Sequence, residues 1–343
     1  HKTPRRQRQM CIRDSYFENP VFALAYGVII AGIVQLSFQI KFLLDLKLLP
    51  RLDLKIFNNG TKKIFNLMIP GILAGGVVQL NILIDTIFAS LLETGSPTWL
   101  YLSDRLIQLP LGIFGIAIAT VILPKLSSEY VTEKYFEFKE NLKWGIELIL
   151  IFAIPSSVAL FSLGLPIVEL LFVRGNFNES DAIMTAMSLQ AFSLGLFAFM
   201  LIKVLSASFF ARQDTFTPLI ITILSFVMNV FLNYFLAFYL GYGHVGLALG
   251  SSIAAIVSVV IYYVILSRNS FIEVTKESLI SIIKILSANI VFYLVINFFA
   301  NNISAINDQW LSNLVLLFGI LFLIIFYFLI LYLLGFRASF FRR

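Results

Sequence analysis

The chain is poor in the residues that build most catalytic and metal centres. Its one cysteine is Cys11, and its two histidines are His1 and His244. A disulfide within the chain is therefore excluded, as are zinc sites built on several thiolates or several imidazoles. No G-x-x-x-x-G-K-[ST] run occurs, so the phosphate cradle of a Walker-type nucleotide site is missing too. These absences weigh against an ATPase or a metalloenzyme. Charge is also scarce: 13% of the 343 residues are Asp, Glu, Lys or Arg, against roughly 25% in a soluble domain. Hydrophobic residues make up 59%, Phe alone fills 35 positions, and the mean hydropathy is +0.92. So few charges cannot cover so apolar a core in water. The solvent for most of this chain is lipid.

Residues 1–15 read differently from the rest. Lys2, Arg5, Arg6, Arg8 and Arg13 stand against the single acid Asp14, with no apolar stretch beside them, so they do not form a signal peptide. Without this leader the chain is close to neutral, and its basic pI of about 9.3 carries no argument for nucleic acid.

Apolar runs of roughly 20 residues recur about nine times. They cover residues 20–44, 64–92, 98–123, 142–165, 182–210, 218–240, 245–266, 279–299 and 311–334. The predicted fold is all-α, a polytopic membrane protein. Pro70, Pro110 and Pro155 fall inside spans, where neighbouring helices can re-satisfy the backbone. Basic residues alternate between loops. Lys41, Lys47, Arg51, Lys55, Lys62 and Lys63 follow the first span, and Lys125, Lys134, Lys139 and Lys143 the third. Arg212 follows the fifth, Arg268 and Lys276 the seventh, and Arg337, Arg342 and Arg343 the ninth. The intervening loops carry almost none, Arg174 excepted. Positive charge stays on the cytoplasmic side, so the C-terminus is expected in the cytoplasm and the first span is expected to start outside. The basic leader would then lie on the wrong side. Residues 1–15 are therefore expected to be foreign to the native chain, with native helices missing upstream.

Two segments carry a resemblance. The first is residues 79–90 (QLNILIDTIFAS), continuing through 95–99 (GSPTW) and 101–115 (YLSDRLIQLPLGIFG) to Leu123-Pro124. The second is residues 210–218 (FARQDTFTP). Together they resemble the MurJ/MviN lipid II flippase family of the multidrug/oligosaccharidyl-lipid/polysaccharide exporter superfamily. The resemblance implies fourteen spans, arranged as two six-helix lobes and two C-terminal helices. Residues 16–63 would be the last helix of the first lobe and a cytoplasmic loop. Residues 64–268 would be the second lobe, and 269–343 the two C-terminal helices and a basic tail. Five upstream helices would be absent, so this piece alone is not expected to flip lipid.

The implied task is alternating-access transport of lipid II, the undecaprenyl-pyrophosphate-linked disaccharide-pentapeptide, across the bacterial inner membrane. No bond is made or broken, so the chain is not expected to be an enzyme and no cofactor is expected. Coupling to Na⁺ or protons and to membrane potential is implied. The expected partners are lipid II, membrane lipids and cell-wall synthesis machinery, without nucleic acid. The rival cargo is another polyprenyl-linked oligosaccharide or a drug-like molecule.

Transport of an anionic headgroup needs fixed positive charge in a hydrated cavity. Arg105 lies inside the third span, about 10 Å from its end at 1.5 Å per residue. A guanidinium there costs on the order of 3 kcal/mol unless it meets water, a counter-ion or substrate. Arginine suits bidentate phosphate contact, and the resemblance assigns this position to the pyrophosphate. A structural ion pair with Asp85 or Asp104 is the competing reading. Gln108 shares the face of Arg105 at i+3, and Thr98 would line the same mouth; helix packing competes for both. Asp104 is one step round, about 100° away, and is expected on a different face. Lys203, in the fifth span, either lines the cavity or snorkels. Asp85, Asn229, Asn233 and Ser251 fall at a common depth of about 10 Å. Their oxygens suit a dehydrated cation such as Na⁺, although polar side chains also bind helices together.

Overall fold

The computed structural model describes residues 20–45, 59–273, 275–303 and 309–336. The basic leader, the loop cations Lys47, Arg51 and Lys55, and the terminal Arg337, Arg342 and Arg343 lie outside the described residues. Among the described residues the secondary structure is helical throughout, and nine helices are long and apolar enough to cross a membrane. The chain is a multi-pass membrane protein.

Two units are described separately. The first contains α1 (Pro20–Asp45), whose described side chains are almost all exposed. The second runs from Lys63 and holds most of α2 (Asn59–Ser90). It continues with α3 (Ser96–Pro110), α4 (Ala117–Val131), α5 (Tyr135–Ser162), α6 (Gly164–Phe172), α7 (Glu179–Ala211), α8 (Phe216–Tyr234), α9 (Gly243–Arg268), α10 (Lys276–Ile303) and α11 (Gln309–Leu333). The third and fourth spans overrun their expected bounds, to Val131 and from Tyr135. Hydropathy marks only the lipid-immersed part of a helix, and charged turns prolong it into the headgroup region.

α7 is the centre of the second unit and packs on α3, α4, α5 and α9. Its sequence explains this. Ala182, Ala186, Ala191, Gly195, Ala198 and Ala207 are buried along its length, and small residues let membrane helices approach closely. A Cβ on Gly195 would fall 2.6 Å from the Ser252 Cα of α9. The G-x-x-x-G pair of α9 works the same way against α8: a Cβ on Gly246 would meet the Leu236–Ala237 backbone at 2.7 Å.

Prolines shape two spans. Pro110 offers no N–H to the carbonyl four residues back, and a π-helical segment, Leu111–Ile116, follows it before α4. A second π segment, Phe235–Tyr239, ends α8 two residues after Asn233. Such segments are local insertions that re-aim side chains. In α5, Pro155 leaves the Ile151 carbonyl without its helical donor. The Tyr327 hydroxyl of α11 donates to that carbonyl at 2.9 Å. Around this bond the last two helices form their own core, with Ile285, Phe292, Ile296, Leu323 and Leu331 packed on α5 and α6.

The bundle has two ends. At one, Trp99, Asp181 and His244 come together. At the other, Arg212 lies over the Phe209 and Phe271 rings, 4.5 and 4.2 Å from their centroids. There Lys139 also pairs with Glu273 at 2.7 Å, holding that carboxyl below its ordinary range.

Candidate functional site

Asp85 lies on α2, about one and a half turns before the helix ends. Its Oδ1 accepts from Asn233 Nδ2 at 2.6 Å and its Oδ2 from Asn81 Nδ2 at 3.0 Å. Asn229 sits one turn before Asn233 on the same face of α8. It accepts from Asn233 Nδ2 at 2.9 Å and donates to Ser251 Oγ of α9 at 2.9 Å. With its amide turned over, Asn229 instead donates to Asn81 Oδ1 at 3.0 Å and Asp85 Oδ1 at 3.2 Å, and accepts from Ser251 Oγ. Either way the side chains of three helices form one network. Asn229 and Asn233 are buried, at 2% and 0% exposure. Among the described residues the Asn233 Oδ1 has no hydrogen-bond donor, and it abuts Gly250, where a Cβ would collide with it.

The four residues expected at one depth are thus brought together, and Asn81 joins them. It was missed because no metal motif contains it, yet it stands one turn before Asp85 and so shares its face. The donors are one carboxylate, three amide oxygens and a hydroxyl, all hard oxygens suited to Na⁺ rather than to a soft metal. Among the described residues no group of three or more His, Cys, Asp or Glu could hold a metal ion.

Arg105 presents a different arrangement. One face of α3 is buried on α7 through Trp99, Ser103, Leu106 and Ile107. The other face, with Thr98, Tyr101, Arg105 and Gln108, is exposed. The guanidinium lies 4.7 Å from the Tyr101 ring centroid, and Nη1 approaches Gln108 Oε1 at 3.4 Å. Gln108 Nε2 donates to Asp104 Oδ2. Asp104 was expected on a separate face. Its Cα does lie about 100° round, but at i+4 from it the Gln108 amide reaches both neighbours and links acid to base. Among the described residues Arg105 forms no ion pair with Asp85 or Asp104. Thr98 and Gln108 are exposed among the described residues.

Lys203 stands apart. Ser103 Oγ donates to the Thr185 carbonyl at 2.8 Å, and Gly115 lies against Met200. These contacts put α3 and α7 in parallel register, with Lys203 about 20 Å further along than Arg105. The Lys203 side chain is exposed, and the structure does not join it to Arg105.

A third polar group closes the Trp99 end. Trp99 Nε1 donates to Asp181 Oδ1 at 3.0 Å, while Asp181 and Asn178 cap α7 reciprocally. The Trp99 ring meets His244 edge-on at 5.0 Å, and His244 Nδ1 shares a 2.6 Å hydrogen bond with Ser188 Oγ.

Comparison with known proteins bears on the family and the fold. The sequence profile described as "Lipid II flippase MurJ" matches residues 9–335. The chain belongs to the lipid II flippase MurJ family. Within the MurJ family it is 41% identical over 261 residues to a protein of Vibrio cholerae named a probable lipid II flippase MurJ, covering 76% of this chain and 49% of that one. It is 30% identical over 331 residues to the lipid II flippase MurJ of Burkholderia cenocepacia, covering 94% of this chain and 64% of the relative. The chain thus spans about half the length of the Vibrio relative. A solved structure titled as lipid II flippase MurJ in an inward closed conformation superposes with a TM-score of 0.62 at 27% identity, over 79% of this chain and 55% of the other. The MurJ-like segments at 79–90 and 101–115 supply Asn81, Asp85, Tyr101, Asp104, Arg105 and Gln108.

Proposed function

We propose that this chain is the second helical lobe, with two C-terminal helices, of an inner-membrane lipid II flippase whose C-terminus is cytoplasmic. Membership of the MurJ family and the names of the relatives support the cargo. Loop charge supports the orientation, with the Arg212 end cytoplasmic and the Trp99 end periplasmic. The observation that carries the reading is Arg105: a guanidinium exposed on an apolar span, unpaired with any acid among the described residues, and steadied by Tyr101 and Gln108.

In this reading Arg105 grips the pyrophosphate through two parallel N–H···O bonds. Gln108 and Asp104 hold it at the right angle and offer hydrogen bonds to sugar or peptide, and Thr98 lines the mouth. Lys203, about 20 Å deeper, supplies a second positive station for the same headgroup. The Asp85 cluster takes Na⁺. An ion shared by α2, α8 and α9 stabilises the arrangement in which those helices converge, and so biases one access state over the other. A proton on Asp85 is the competing coupling ion.

Complementation tests this. The full-length parent gene is placed in a bacterium depleted of its own lipid II flippase. Wild type should rescue growth, Arg105→Ala should not, and Arg105→Lys should rescue weakly because an ammonium lacks the bidentate fork. Rescue by a normally expressed Arg105→Ala removes Arg105 from the mechanism. Failure of correctly inserted wild type overturns the cargo.

A further inference from the structure

A cavity of about 240 Å³ lies between α2, α7, α8 and α9. One end of it is formed by Asn81, Asn229 and Ser251 of the oxygen cluster. From there two polar rows lead toward the Arg212 end. On α8, Asn229, Ser225 and Thr222 follow at helical spacing and share one face. On α9, Ser251, Ser258 and Tyr262 do the same. All six line the cavity.

The hydroxyls divide into two kinds. Thr222 and Ser258 donate to their own helix, at 2.8 Å each, to Pro218 and Ala254 carbonyls. The Ser225 and Tyr262 hydroxyls have no protein partner among the described residues, although Tyr262 is only 2% exposed. A hydroxyl without a protein partner beside an open cavity calls for water. Water occupies about 30 Å³ per molecule, so the space holds several. The Tyr262 ring lies tilted against that of Phe209, with centroids 5.5 Å apart. It lies within electrostatic reach of Asp214, which caps the start of α8 beside Arg212 through Thr217 N and Oγ1 at 3.0 and 2.7 Å. On the other side of the cluster the packing is dry: Ala89, Ala237 and Leu247 are buried together, and Phe88 meets Phe238 at 5.7 Å.

We propose that this cavity is a one-sided, water-filled access path by which a small monovalent cation passes between the Asp85 cluster and the Arg212 end of the bundle, with the Tyr262 hydroxyl the cavity-lining polar group nearest that end. The proposal rests on reading the cluster as a cation site. It adds where the ion enters and which side is sealed.

The test uses the full chain in sealed vesicles, with Cys11→Ser removing the only native thiol. Ser225→Cys and Ser258→Cys are each exposed to a cationic, membrane-impermeant thiol reagent from either side. Lys134→Cys and Glu93→Cys, at exposed positions near the Arg212 and Trp99 ends, report which side is which. Both cavity cysteines should react from the Lys134 side only, several-fold more slowly when Na⁺ replaces K⁺. Reaction from neither side, or from the Glu93 side, overturns the path. Na⁺ binding is measured separately as a thermal shift of the unlabelled chain. If Na⁺ gives no shift, the cation reading fails and the path with it, even where the cysteines react. If Na⁺ binds but leaves labelling unchanged, the cation reading stands and the path alone falls.

Discussion

The Tyr327 hydroxyl donates at 2.9 Å to the Ile151 carbonyl, the one that Pro155 leaves open four residues later in α5. Both side chains are buried, at 4% and 0% exposure. Asn289 of α10 lies beside them, with Nδ2 3.4 Å from the Tyr327 oxygen. The C-terminal helices are thus joined to the lobe at its proline. Removing the hydroxyl with Tyr327→Phe should cost about 1 kcal/mol, read by thermal unfolding in detergent. In a Pro155→Ala background the restored N–H satisfies Ile151, so the same change should cost distinctly less. Equal costs in the two backgrounds would mean that the bond does not depend on the proline.

The Asp85 cluster predicts an ion-specific stabilisation. Na⁺ at about one hundred times its Kd should stabilise the wild-type chain by roughly 2.7 kcal/mol relative to choline. Asp85→Asn keeps the size and removes the charge, and should abolish that response. An unchanged Na⁺ response in Asp85→Asn places the ion elsewhere.

The two glycines of α9 should fail differently. Gly246→Ala sets a methyl against the α8 backbone, which cannot yield as a side chain would, and should cost about 1–3 kcal/mol. Gly250→Ala meets the Asn233 amide, which can swing away from Asp85. Its main loss should be in Na⁺ response rather than in stability. Gly71→Ala, where none of the described residues lies within 4 Å, should be neutral or slightly stabilising, as expected for alanine in a helix. A Gly246→Ala protein as stable as Gly71→Ala would refute the close crossing of α8 and α9.

Asp181 serves two partners, capping α7 and accepting from Trp99. Trp99→Phe removes one bond and should speed hydrogen exchange at the start of α3 and α7 modestly. Asp181→Ala also removes the reciprocal half of the capping box, the bond its carboxylate accepts from Asn178 N, while the Asn178 cap itself stays; it should cost about 1 kcal/mol more, with faster exchange through the first turn of α7. Equal exchange in the two variants would leave that bond without weight.

Much of this site was legible before the fold. Arg105 and Asp85 stand out because a charge inside an apolar run needs a reason to be there. Asn229 and Asn233 share a face by helical spacing alone. Asn81 could have been found by the same rule, one turn before Asp85, but amides are common enough in membrane helices that it carries no signal until its partner is known. Asp104 lies round the helix from Arg105 as spacing requires, but spacing describes Cα directions and not the reach of the Gln108 side chain between the two. Lys203 is legible as an embedded cation, but its distance from Arg105 follows only from the register of α3 against α7.

Local chemistry therefore determined the class, the nine spans and the residues worth watching, because transfer of apolar side chains into lipid depends on each segment by itself. Which faces meet was decided by tertiary structure. A lipid-facing surface is as apolar as a helix–helix contact, so the periodicity that reveals the core of a soluble protein is missing from α7. Only the tertiary arrangement brought Asn233 within 2.6 Å of Asp85, 148 positions away, and set Tyr327 on the carbonyl that Pro155 had left free.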